Sequence, residues 1–266
     1  ILVFVSSFSR LLNRRYDLLD CHEEAGLFGV IFSKIFNTVS VYDMHSSLPE
    51  QLENFNYTRS KIIRYFFDVL EQLTIRGSAA VIYICPYLKE VIDRVDSKKP
   101  SFLIENSPLA ESGIIEGQAE VEQLREKLDL GKAFILLYTG TFEAYQGLDL
   151  LFNALARIPE PNIRLLMVGG NPKQIEESKR EVAKLGVSER VIFVGSRPPE
   201  EMSLYLSLSH VLVSPRLRGK NTPLKVYSYL HAGKPIVATR ILTHTQVLDE
   251  NIAVLTDPDP KAFSSG

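Results

Sequence analysis

Between residues 202 and 248 the chain has no carboxylate at all, although six cations fall there: Arg216, Arg218, Lys220, Lys225, Lys234 and Arg240. In a protein that is 23% charged with mixed signs, so one-sided a stretch faces something anionic or forms a solvated basic face. Other absences narrow the field. Cysteine occurs twice, at Cys21 and Cys85, and neither has a Cys or His partner at zinc-ligand spacing. That excludes a disulfide framework and fits buried thiols in a reducing, cytoplasmic compartment. No apolar run reaches bilayer-spanning length, no repeat of solenoid period occurs, and no tract is of low complexity. A net charge of −2 argues against nucleic acid or an anionic bilayer as the main partner. Membrane contact is expected to be peripheral at most, at an inner membrane face. The amphipathic start (Val3, Phe4, Leu11 and Leu12 with Arg10, Arg14 and Arg15) reads as an ordinary packed helix or as a segment that brushes such a surface. Residues 1–5 are not read as a signal peptide, and the chain is expected to be a fragment trimmed at both ends.

What is present is a repeating unit. Short β-rich runs occur at 133–139, 163–168, 191–194, 211–214, 236–239 and 252–255. Helical spacing lies between them: Leu148, Leu151, Phe152 and Leu155 share one face, as do Ile175, Val182 and Leu185, and Met202, Tyr205 and Leu206. The first half is similar in kind, with strands expected at 16–21, 38–42, 80–85 and 102–104. Helices are expected at 25–36, 60–76 and 120–130, the last stopped by Gly131. Alternation of this length predicts an α/β protein of two Rossmann-like domains with parallel sheets, enough chain for two cores. The loop at 106–117, with Pro108, Gly113 and Gly117, is the candidate linker, giving domains 1–112 and 113–266 and a cleft between them. Residues 1–130 carry −5 by count and the remainder +3, which places an anionic ligand mainly on the second half.

Two motifs carry chemistry. Strands end in glycine at Gly140, Gly169-Gly170 and Gly195, where backbone comes close to a ligand. Gly140 and Gly147 bound a turn that opens a helix, so its amides either reach a phosphate or form a plain strand–helix turn. The spacing matches neither the Walker loop nor the triple-glycine dinucleotide fingerprint. In the second motif Thr222 is expected to cap a helix and Pro223 to occupy its first position. Lys225 then stands in the first turn, where a cation opposes the helix dipole unless it meets a bound anion.

The run 221–239 resembles the C-terminal domain of the family-four (group 1) retaining glycosyltransferases, whose GT-B architecture has two facing Rossmann-like domains. The likeness extends over most of the chain, through Tyr16-Asp17-Leu18-Leu19, His22-Glu23-Glu24-Ala25-Gly26, Val41-Tyr42-Asp43-Met44-His45-Ser46 and Phe193-Val194-Gly195. It implies an incomplete acceptor-side domain followed by a donor domain incomplete at its end. It further implies that Gly140, Thr141, Gln146 and Gly147 line the donor diphosphate, with Lys225 as the principal cation and Gly195 and Ser196 near the base. His45 would approach the transferring sugar, with His22 and Glu24 near the acceptor. Many members carry Arg and Lys where this chain has Thr141 and Gln146, so Arg216 or Lys220 would have to compensate. The family's paired glutamates align with Lys220 and Ser228, and a serine offers the ribose only single-point hydrogen bonding.

Alternatives stay open at individual residues. His45 is also explained as an orienting histidine satisfied by backbone, and Glu23 and Glu24 as first-turn helix acids. The function expected is transfer of a sugar from a nucleoside diphosphate to a hydroxyl of an acceptor glycan or lipid-linked sugar. No aspartate-rich metal motif is visible, so no obligatory divalent ion or cofactor is expected. Nucleotide-sugar epimerisation, with an acid–base pair from the Glu23–Glu24 region, and non-catalytic nucleotide-sugar binding are the rival readings.

Overall fold

The computed structural model describes residues 2–54, 60–107 and 117–266. They divide into two units, Ile1–Glu105 and Asn106–Gly266. Most of the expected linker, and the expected boundary after residue 112, lie outside the described residues.

The first unit runs α1 (Leu2–Asn13), β1 (Leu18–His22), α2 (Gly26–Phe36), β2 (Val39–Met44), α3 (Leu48–Asn54), α4 (Lys61–Gly77), β3 (Ala80–Tyr83), α5 (Pro86–Asp96) and β4 (Ser101–Leu103). Its sheet is parallel in the order β1-β2-β3-β4. Tyr42, Met44, Ile75, Val81, Leu88 and Ile92 form its core. The strand expected at 80–85 stops at Tyr83. Pro86 starts α5, because its missing N–H falls among the donors that a helix start leaves unpaired. Cys85 therefore sits at a helix cap rather than in a strand, and both thiols are buried and unbridged. The opening segment is indeed a helix, α1, with Phe4 and Phe8 packed on Phe28, Phe32 and Phe36 of α2.

The second unit runs α6 (Gln118–Lys127), β5 (Phe134–Thr139), α7 (Leu148–Arg157), β6 (Ile163–Val168), α8 (Pro172–Lys184), β7 (Val191–Gly195), α9 (Met202–Leu208), β8 (Val211–Ser214), α10 (Leu224–His231), β9 (Ile236–Thr239), α11 (Leu242–Thr245), β10 (Val254–Thr256) and α12 (Pro260–Ser265). α6 ends before the expected residue 130 because Asp129 turns left-handed, with φ 51°. The parallel sheet has the order β10-β9-β8-β5-β6-β7. Side chains alternate across it: Ile135 and Leu137 of β5 join Tyr205, Leu206, Val226 and Tyr229 on one face. Tyr138 joins Leu148, Leu151, Phe152 and Leu155 on the other. The chain builds outward through β6 and β7, then returns to lay β8 on the other side of β5. That reversal opens a crevice at the carboxyl ends of β5 and β8.

A buried histidine ties the ends of β8 and β9 together. His244 Nδ1 lies 2.8 Å from the Thr239 carbonyl, and its Nε2 lies 2.8 Å from Ser214 Oγ. A carbonyl only accepts, so Nδ1 carries the proton and Nε2 accepts from the serine. The Thr239 hydroxyl donates in turn to the Arg216 carbonyl. Burial lowers His244 to about 4 against its bond to Thr239, and the charges of Lys225 and Arg216 add to the shift.

Two predictions follow from this packing. Phe152 is 1% exposed, and Phe152→Ala is expected to cost about 3–5 kcal/mol in denaturant unfolding. Exposed Ile252→Ala should stay within about 0.5 kcal/mol of the parent. Because the folded state depresses the His244 pKa, its stabilising contribution is whole above the unfolded value near 6.5 and lost as pH falls toward 4. About 3 kcal/mol is at stake over that window. His244→Gln is expected to flatten the pH dependence of the unfolding midpoint between those limits; an unchanged slope would exclude this histidine as the group responsible.

Candidate functional site

The crevice between β5 and β8 is lined by glycine turns. Gly169 follows β6 at φ +126°, and a Cβ there would stand 1.9 Å from the Gly140 carbonyl oxygen. Gly147, at φ +74°, would place its Cβ 2.1 Å from the Pro215 carbonyl oxygen. Any larger residue at either position would push strand-end turns apart, so both glycines are required by close backbone approach. The turns enclose a cavity of about 490 Å3 whose lining includes Gly140, Thr141, Ser196, Arg197, Lys225 and Ser228. This volume is in the range of small-molecule sites.

Lys225 reaches into this space from the first turn of α10. Its Nζ donates to Gln146 Oε1 at 3.2 Å and stands 4.1 Å from the centre of the Tyr138 ring. It is also 3.6 Å from where a Cβ on Gly140 would project. Arg216 follows β8, with its guanidinium carbon 5.1 Å from the centre of the Tyr145 ring and its Nε donating to the Arg218 carbonyl at 2.7 Å. Among the described residues, neither cation pairs with a carboxylate. Burial, and then the charge of Arg216, hold the Lys225 ammonium well below the ordinary lysine range. Burial lowers Arg216 as well, while Tyr145 and Tyr138 favour its charge. Both cations are part-buried; Lys225 lines the cavity, and Arg216, outside that lining, is near enough to repel its ammonium. Tyr229 anchors α10 beneath them: its Oη accepts from the Thr139 N–H at 2.9 Å and lies 3.1 Å from Thr139 Oγ1.

Of the donor-side residues expected from the sequence, Gly140, Thr141, Ser196, Lys225 and Ser228 line the cavity. Gln146 holds Lys225 instead of lining it, and Gly147 and Gly195 shape the turns behind. The capping expectation is corrected. α10 starts at Leu224, Pro223 occupies the cap position, and the Thr222 hydroxyl is buried without a hydrogen-bond partner. Proline at the cap pushes the helix start on by one residue, and this leaves Thr222 outside hydrogen-bonding reach of the first-turn amides. The acid-free run is also not one patch. Arg240 pairs with Glu250 at 2.7 Å, and Lys234 acts on His210 at the amino ends of the strands, away from the crevice. Lys220 is exposed, and its carbonyl accepts from Gln246 at 2.6 Å. Only Arg216 and Lys225 converge. Arg197 was missed; its place directly after Gly195-Ser196, at a strand end, was the available signal.

The first unit gathers a second cluster. β1 and β2 pair in a register that sets His22 opposite Asp43, and one Asp43 oxygen lies 3.2 Å from His22 Nδ1 and 3.2 Å from His45 Nε2. Asp20 approaches the other His22 nitrogen at 3.5 Å. The donor atoms of His22, Asp43 and His45 lie within 4.8 Å of one another. Asp43 shares one oxygen between the two imidazoles, so the three are taken as an ion-paired cluster. Asp43 had not been singled out, yet Asp-x-His within and just past a strand puts both side chains on the same side. Glu24 is exposed in the short helical turn before α2. Its neighbour Glu23 instead turns inward, at φ 47°, to accept from Ser46 Oγ at 3.0 and 3.2 Å. Burial raises the Glu23 pKa.

Comparison with known proteins follows the same lines. A model of the family described as "Glycosyl transferases group 1" matches residues 120–266, more than half of the chain. D-inositol 3-phosphate glycosyltransferase of Corynebacterium efficiens is 28% identical over 127 residues, covering 44% of this chain and 30% of that protein. Its counterpart in Corynebacterium diphtheriae is 23% identical over 269 residues, 95% of this chain and 62% of that protein. The chain thus spans less than two thirds of the length of either relative. Among solved structures, Anabaena HepE in complex with UDP superimposes with TM-score 0.81 at 17% identity, over 99% of this chain and 70% of that one. Sucrose-phosphate synthase from Thermosynechococcus elongatus follows with TM-score 0.76 at 23% identity, over 98% and 66%. Both likenesses are of fold, two parallel α/β units of GT-B type. With the matched model spanning α6 to the last residue, the chain belongs to the group 1 glycosyl transferases.

Proposed function

We propose that this chain is the greater part of a retaining glycosyltransferase that moves a sugar from a nucleoside diphosphate to a hydroxyl of an acceptor glycan or lipid-linked sugar. The observation that carries the reading is Lys225, part-buried, without a carboxylate partner and lining the cavity beside the Gly140 turn, with Arg216 near enough to repel its charge. A leaving diphosphate gains negative charge as the glycosidic bond breaks, and prepositioned cations stabilise that charge without reorganising. The start of α10 adds the positive end of its dipole. Ser196 and Arg197 are assigned to the base and Ser228 to the ribose, all three at the cavity wall. His45 is assigned to the transferring sugar, and His22 with Glu24 to the acceptor half of the reaction. Asp43 fixes the imidazoles of both histidines. In this scheme the protein's own cations do the work that a divalent ion would otherwise do. HepE is known with UDP and with UDP-glucose, which makes a uridine donor the first to test.

Ser228 in place of an acid supports a second reading, binding of a nucleotide sugar without transfer, since a single hydroxyl holds a ribose less firmly than a carboxylate.

Thermal shifts with UDP, GDP and ADP are expected to single out one nucleotide, a ligand at 100 times its Kd adding about 2.7 kcal/mol. Lys225→Met is expected to raise the melting temperature of the nucleotide-free protein, because it removes a part-buried cation that faces no carboxylate. The same change should weaken diphosphate binding and lower turnover by about tenfold or more. Tight binding with no transfer or hydrolysis would favour the second reading. Unaltered diphosphate affinity in Lys225→Met would remove that lysine from the site.

A further inference from the structure

The turn that carries His45 is held from beneath by two carboxylates, each taking a consecutive pair of donors. Glu23 accepts the Ser46 hydroxyl and the His45 backbone N–H. Glu71, on α4, accepts the next pair: Ser47 Oγ at 3.2 Å on one oxygen and the Leu48 N–H at 2.7 Å on the other. Glu71 is 3% exposed, in the interior of a helix whose other buried residues are Thr74 and Ile75. An ionisable group so placed is costly unless its bonds serve something. What they serve is local: the two oxygens satisfy the start of α3, and so fix where the chain turns after His45. The Tyr42 hydroxyl is wholly buried without a hydrogen-bond partner, and burial, then the charges of Glu23 and Glu71, oppose its titration.

We propose that Glu71 is a positioning residue for sugar transfer, clamping the Ser47–Leu48 turn so that His45 and its partner Asp43 keep their geometry. This rests on the assignment of His45 to the reaction. The groups facing Glu71 are Asp68 from its own helix, Glu50 from α3 and Tyr42 from β2. Burial, with smaller contributions from Asp68 and Glu50, pushes Glu71 up to about 7, against the bonds from Leu48 and Ser47. Both protonation states are therefore populated near neutral pH. The ionised form offers both oxygens to its donors. The protonated form gives up one acceptor, and the Ser47 hydroxyl must reverse. The clamp is tightest above pH 7 and loosens below it.

Glu71→Gln keeps the shape and imitates the protonated form, its amide oxygen accepting from Leu48 and its amide nitrogen donating to Ser47. In the complete protein it is expected to melt within a few degrees of the parent and to bind UDP, GDP or ADP unchanged. Turnover of whichever of UDP-glucose, GDP-mannose and ADP-glucose the parent uses should fall about tenfold in kcat with donor KM unmoved, as expected of a misplaced catalytic group. The acid limb of the parent's kcat–pH profile near 7 should also disappear. Histidine and amide NMR gives a readout independent of activity: in Glu71→Gln the His45 ring and the amides of residues 46–50 should shift and lose a pH inflection near 7. Equal kcat, an unmoved pH limb and unshifted His45 signals, alongside a crippled His45→Ala, would overturn the clamp alone. Full activity in His45→Ala would instead overturn the assignment of His45, leaving the NMR comparison to decide whether Glu71 sets the turn.

Discussion

Two part-buried cations with no carboxylate beside them are the constraint on which the second unit is organised. Lost hydration lowers the pKa of each, and the charge of Arg216 adds to the shift of Lys225. The surroundings soften it without cancelling it. The amide oxygen of Gln146 and the faces of Tyr138 and Tyr145 supply partial negative charge, and no full charge. A carboxylate in the same place would stabilise the empty protein and compete with an anionic ligand. A glutamine and two tyrosines leave the ligand to complete the pairing.

Such a site persists only if its walls do not relax. Each wall is fixed by a buried polar contact from a neighbouring element: Tyr229 to the end of β5, and His244 with Thr239 to the turn carrying Arg216. The glycine turns let the strand ends touch backbone to backbone, leaving no soft side-chain layer between them. The first unit uses the same device with opposite charge. Glu23 and Glu71 reach under a strand-end turn and take its amide and hydroxyl donors, while Asp43 joins two imidazoles above. In both units the candidate site lies at strand-end turns, and neighbouring elements hold the turns.

The sheet and most helices were legible from periodicity. Runs such as 163–168, 211–214 and 236–239 coincide with β6, β8 and β9, because buried parallel strands are uniformly apolar and bounded by turn residues. The misses have particular causes. Pro86 hid the start of α5 inside an apolar run, Asp129 ended α6 early by turning left-handed, and Pro223 displaced the cap from Thr222. Lys225 was readable because a first-turn cation conflicts with the helix dipole, and such conflicts point to a ligand. The six-cation run was readable only as a count. Its members diverge, Arg240 to Glu250 and Lys234 to the amino ends of the strands.

By itself the amino-acid order determined the class of fold, the parallel sheets, the glycine-bounded turns and the place of Lys225 in the first turn of a helix. Each of these follows from rules that act over a few neighbouring residues: alternation, helical spacing, turn chemistry and dipole sign. Tertiary structure alone decided which of six cations meet, that Gln146 rather than a carboxylate faces Lys225, and that Asp43, Glu71 and His244 matter. Those pairings join residues from 2 to 79 positions apart, His45 to Asp43 and Lys225 to Gln146. The order of strands in the sheet sets the longer of these distances, and local sequence does not encode them.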